Sequence, residues 1–146
     1  MQRRDAGRIS RVTLFILAQF LSSNDLQATL NLLLAALYGG LIGFERERDK
    51  QPAGLRTHIL ICVGSALFAT IATSYFSTPA EVSRVWQNIL TGIGFLGAGA
   101  IFKSREDIHG LTTAADIWAT AAIGLAIAAQ LYLLATVSEV IVLVTL

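Results

Sequence analysis

The chain has 146 residues, enough for one domain, with 14% charged residues and a formal net charge of +1. Hydrophobic residues make up 54%, twelve glycines stand beside them, and the mean hydropathy is +0.63. This balance excludes an ordinary soluble domain, where roughly a quarter of residues are charged, and the near-neutral charge gives no reason to expect a nucleic-acid partner.

In chain order, residues 1–25 read as a basic, amphipathic lead-in. "MQRRDAGRIS" is basic, "VTLFILAQFL" is apolar and "SSND" is polar. The apolar run has ten residues, too few to span a bilayer, and no good small-residue cleavage site follows it. An interfacial segment with Arg8 and Arg11 at the headgroups therefore fits better than a signal peptide.

A membrane helix needs about 20 mostly apolar residues, at about 1.5 Å rise each. Segments 26–44 and 59–76 carry no charge, 86–102 is slightly short but also free of Asp, Glu, Lys and Arg, and 111–129 holds one acid, Asp116. A fifth segment, 131–146, holds Glu139 and ends on "VIVLVTL" without a polar stop, as a shortened form of a longer protein would. These segments predict an all-α, polytopic membrane helix bundle of about five transmembrane helices over 26–146.

Arg46, Arg48, Lys50 and Arg56 lie in the 45–58 loop, and Lys103 and Arg105 in the 103–110 loop. Positive loops stay on the cytoplasmic side, so the first core helix starts outside. Arg3, Arg4, Arg8 and Arg11 argue the other way, a conflict that would vanish if residues 9–25 crossed the membrane.

"TGIGFLGAGAIF" (91–102) contains a literal G-x-G-x-x-G of Gly92, Gly94 and Gly97. A dinucleotide-binding turn needs a strand before it and a helix after it. Here the glycines sit in a segment that must span lipid, where an open strand cannot stand. Small residues instead let membrane helices approach closely. Gly92 and Gly99 share a face, Gly94 and Ala98 form a small pair, and Ala35, Gly39 and Gly43 form a stripe on the first helix. The expectation is that the third helix packs its glycines on that stripe. The fourth helix adds Ala115, Ala119 and Gly124.

Asp116 is costly inside a membrane unless paired or hydrated. It shares a face with Thr120 and Gly124, and Thr113 lies one turn before it. It reads either as an ion, proton or partner-coupling site or as a structural ion pair at the membrane edge. Arg56 is its expected partner, because a guanidinium can hold a carboxylate with two hydrogen bonds. Glu45, Arg46 and Glu47 follow the glycine stripe and read as a solvated helix end. Asn88 begins the third segment. His58 and His109, at helix starts near charged loops, read as interfacial rather than metal-binding. Thr112 or Thr113 is expected to cap the fourth helix. Cys62, the one cysteine, excludes an internal disulfide and reads as a plain buried thiol. No nucleophile–base order, metal-ligand spacing or P-loop lysine supports an enzyme, a bound metal or a cofactor.

Four blocks, "LYGGLIGFERE" (37–47), "PAGLRTHILICVGSALF" (52–68), "LTGIGFLGAGAIF" (90–102) and "GLTTAADIWATAAIGLAI" (110–127), resemble in order the signature blocks of the MgtC/SapB family of bacterial inner-membrane proteins. The resemblance implies a multi-pass bundle of about five helices in the cytoplasmic membrane. It also implies, for the namesake branch, links to growth in low magnesium, survival in host cells and modulation of the ATP synthase. Many members of that branch add a soluble domain after the helices; this sequence stops at Leu146. Carried over by motif position, the candidates are Glu45, Arg46, Arg56, Thr57, His58, Asn88, Thr112, Thr113 and Asp116.

Two functional readings follow. One is a non-enzymatic regulator of another membrane system linked to magnesium limitation or stress, binding a membrane protein or a second copy of itself. The other is an ion or proton translocator using Asp116 and Arg56. A dedicated magnesium path would favour several carboxylates and waters around an octahedral ion, and the core segments hold one acid.

Overall fold

A computed structural model describes residues 23–104 and 107–146. They form five helices: α1 (Ser23–Arg48), α2 (Leu55–Tyr75), α3 (Pro79–Ala100), α4 (Leu111–Ala128) and α5 (Tyr132–Thr145). A small antiparallel hairpin, β1 (Phe102–Ser104) and β2 (Asp107–His109), joins α3 to α4 with Lys103 opposite Ile108. Three helical stretches, Asn24–Arg48, Leu55–Tyr75 and Leu111–Ala128, are long and apolar enough to cross a membrane, and Tyr132–Thr145 is a shorter apolar helix. The lead-in reading falls on residues 1–22, outside those described. Residues 23–25, expected to belong to it, are helical.

Residues 23–30 fall in a unit of their own. They form the first turns of α1, where the Thr29 hydroxyl donates to the Asp25 carbonyl at 2.8 Å.

Residues 31–146 are the second unit. α2 is the hub, because two neighbours press glycines against it. A Cβ on Gly39 of α1 would sit 2.5 Å from the His58 carbonyl oxygen, and one on Gly43 would sit 2.7 Å from the Leu55 Cα. On α4, a Cβ on Gly124 would strike the Cys62 carbonyl and lie 3.1 Å from the Ser65 Cβ. Backbone thus lies on backbone, the close approach by which membrane helices associate where lipid removes the hydrophobic drive. Ala35, Ile42, Cys62, Ala66, Ile123, Ile127 and Ala135 fill the space so made. A smaller cluster of Ala53, Ile61, Ile117 and Ala121 takes in Ile93 and Ala100 from α3. Leu37, Leu60, Phe95, Leu133 and Val144 point outward, as lipid-facing side chains do.

α3 departs from its expectation twice. It begins at Pro79 rather than residue 86, because Thr78 and Glu81 close a capping box with proline at the first helical position. Its glycines do not meet the α1 stripe: a Cβ on Gly92, Gly94 or Gly99 would touch nothing within 4 Å, and one on Gly97 would meet the Ala114 carbonyl of α4 at 3.3 Å. The expected cap of α4 also differs. Its N-cap is Gly110, at φ 84°, with no side-chain cap. A side chain there would run into the Ala100 carbonyl as well as strain the backbone.

Candidate functional site

Three helix ends converge on one buried carboxylate. α1 delivers Arg46 in its last turn, α2 begins at Leu55 and delivers His58, and α4 begins at Leu111 and delivers Thr113 and Asp116. The polarity is favourable, with the cation at a C-terminal end and the acid near two N-terminal ends. The guanidinium Nε lies 3.1 Å from Asp116 Oδ2, with side chains only 5% and 1% exposed. That is ion-pair distance, although the Nε hydrogen is not aimed at a hydrogen-bond acceptor. Arg46 also donates through a terminal nitrogen to the Thr113 hydroxyl at 3.3 Å. His58 Nε2 stands 3.0 Å from the same Asp116 Oδ2, and its Nδ1 stands 3.0 Å from the Gly54 carbonyl. One turn on, the Thr120 hydroxyl donates to the Asp116 carbonyl at 2.9 Å.

Asp116 is therefore not paired with Arg56. Arg56 and Thr57 are exposed, whereas His58 is fully buried rather than interfacial. Glu45, Arg46 and Glu47 also part company. Arg46 is buried, Glu45 pairs loosely with the exposed Arg48 at 3.6 Å, and Glu47 reaches across the turn to accept the Leu55 N–H at 2.9 Å. Thr113 lies in the cluster while Thr112 is exposed. Asn88 lies apart, on the wall of an apolar groove of about 560 Å³ between α2 and α3, walled by Leu60, Phe68, Ile89 and Leu96 and carrying Gly64 and Gly92.

Sequence reasoning gave Glu139 no role, yet it is 3% exposed and neither carboxyl oxygen has a hydrogen-bond partner. It lies within electrostatic reach of Asp116 and Cys62. The signal was present: an acid in the middle of an apolar helix is itself a candidate functional group. On the same helix, Tyr132 donates to Asn31 at 2.9 Å, and Thr136 shares a 2.7 Å hydrogen bond with Tyr38, so α5 is fastened to α1. Among the described residues no three His, Cys, Asp or Glu side chains are grouped as metal ligands would be.

The sequence profile of the MgtC family matches residues 32–146. The chain belongs to the MgtC family. It is 44% identical over 124 residues to the "Putative magnesium transporter YhiD" of Escherichia coli (strain K12), covering 80% of this chain and 58% of that one. It is 40% identical over 141 residues to the protein SrpB of Synechococcus elongatus, covering 87% and 78%. It is 46% identical over 109 residues to the protein MgtC of Brucella abortus (strain 2308), covering 75% and 45%. The chain thus spans little more than half the length of the E. coli relative. No solved structure matches it. With three apolar spans, this MgtC-family chain is a helical membrane protein whose relatives carry magnesium-related names.

Proposed function

We propose that this chain is a non-catalytic protein of the bacterial inner membrane that regulates another membrane system tied to magnesium limitation or stress. The α1–α2 turn and the β1–β2 hairpin face the cytoplasm, as their Lys and Arg content favours.

The observation that carries the reading is the occupancy of Asp116. Its charge is already met by Arg46 at 3.1 Å, with His58 at 3.0 Å from the same oxygen. A magnesium ion takes near-octahedral oxygen ligands at about 2.0–2.1 Å and keeps several waters. A fixed guanidinium beside the carboxylate repels such an ion. The cluster suits a lock between helix ends better than a step on an ion path. The groove between α2 and α3 then offers a place for a partner's membrane helix, since Gly64 and Gly92 leave room for close backbone approach.

Photo-crosslinking in native membranes tests this. A crosslinker at Asn88 or Leu96 is expected to give one discrete adduct, whose mass separates a second copy of the chain from another protein, while Leu133 on α5 gives lipid adducts alone. Equal labelling at all three positions would remove the groove from the proposal.

A proton or ion translocator is the second reading. The Asp116–Arg56 pair it invoked does not form, and the observation left in its favour is the unpartnered acid Glu139.

A further inference from the structure

The carboxylate of Asp116 already has partners. Its Oδ2 lies 3.1 Å from Arg46 Nε and 3.0 Å from His58 Nε2. A carbonyl oxygen can only accept, so the 3.0 Å contact to Gly54 places a hydrogen on His58 Nδ1. All three side chains are buried, and an unpaired charge in an apolar interior is costly.

Glu139 is the other buried acid among the described residues. It comes from a fourth helix. Asp116 of α4 acts on it electrostatically, carboxylate against carboxylate, and Glu139 in turn acts on Cys62 of α2. α2 also carries His58, α1 carries Arg46 and Tyr38, and Tyr38 is bonded to α5 through Thr136. Neither Glu139 oxygen is held by a hydrogen bond, so no local donor fixes the carboxyl in one charge state.

We infer that Glu139 is the proton-binding site of this cluster. Ionised, it sets a second buried negative charge against that of Asp116, with no hydrogen bond to hold it. Protonated, it removes that repulsion. Glu139 rides on α5, while the other three groups sit on α1, α2 and α4. Proton binding therefore relieves like-charge repulsion between α5 and α4, while the Tyr38–Thr136 and Asn31–Tyr132 bonds fasten α5 to α1. The site binds its proton whether or not the proton crosses the membrane, so its test is separate from any flux test.

Infrared difference spectroscopy of the full chain in lipid nanodiscs, titrated from alkaline to acid pH, reads this directly. The carbonyl band of a protonated carboxylic acid in an apolar setting is expected to appear on acidification. It should vanish in Glu139→Gln, move in frequency in Glu139→Asp, and persist in Glu47→Gln, whose carboxyl is outside the cluster. The pH at which it appears should also move in Asp116→Asn, because the carboxylate facing Glu139 is gone. Circular dichroism checks that each variant is folded; if Glu139→Gln is not, Glu139→Asp carries the assignment. A band unchanged in Glu139→Gln and Glu139→Asp, or a Glu139 band with the same midpoint in Asp116→Asn, overturns the inference.

Discussion

Replacing Asp116 with alanine strands a buried guanidinium and a buried imidazole. Arg46 keeps its 3.3 Å contact to Thr113, but its charge loses the one carboxylate at ion-pair distance among the described residues, and His58 Nε2 loses its partner. The paired side chains are 5% and 1% exposed, so the screening that makes surface pairs weak does not apply. Breaking a buried pair by removing one partner costs about 3–5 kcal/mol. At about 1.4 kcal/mol per tenfold, the folded-to-unfolded ratio falls by about two to four orders of magnitude. The informative comparison is the double variant, Asp116→Ala with Arg46→Met. If the single loss comes from an uncompensated charge, the double variant recovers part of it, because an apolar replacement removes the stranded cation as well. A double-mutant cycle on reversible unfolding in mixed micelles measures this, with a coupling of about 1–3 kcal/mol expected. A cost below about 1 kcal/mol for Asp116→Ala, or a double variant equal to the sum of the singles, would falsify the claim that these charges lock the helix ends.

The glycines should divide by position. Gly39→Ala and Gly43→Ala place a Cβ 2.5 Å and 2.7 Å from atoms of α2 and should destabilise by about 1–3 kcal/mol, as overpacking does. Gly94→Ala enters open space and should be neutral or stabilising by up to about 1 kcal/mol; thermal melts showing the reverse order would remove the close-packing argument. Thr78→Ala should cost about 1 kcal/mol by opening the capping box of α3, with hydrogen exchange rising first at residues 81–82. Glu47→Ala should loosen the start of α2 by a comparable amount, since its carboxylate accepts the Leu55 N–H, and Glu47→Asp should not restore it because the shorter side chain cannot span the turn.

The helices were legible because hydropathy marks what lipid must touch, and lipid imposes helical backbone. Their ends were less so, because ends are set by caps. An uncharged window finds the apolar part of α3 and passes over Thr78 and Glu81, which start the helix seven residues earlier than expected. The same effect misplaced the partner of Asp116. Reading α2 from residue 59 left Arg56 in a free loop with its direction unset. With α2 starting at Leu55, Arg56 and His58 are about 200° apart around the helix, so one faces outward and the other inward. Arg46 was hidden by its company, since it stands among Glu45, Glu47 and Arg48 in a stretch that reads as solvated; only the helical phase buries it alone. The glycine pattern announced close approach without naming the neighbour. Gly39 and Gly43 meet α2, Gly97 meets α4, and Gly92, Gly94 and Gly99 meet nothing in the described chain.

A flux measurement on the purified chain in sealed liposomes separates a regulator from a transporter. With magnesium, potassium or proton gradients imposed in turn, the expected result is no flux above that of protein-free vesicles. A gradient-driven flux that disappears in Asp116→Asn would contradict the reading of this cluster as a lock.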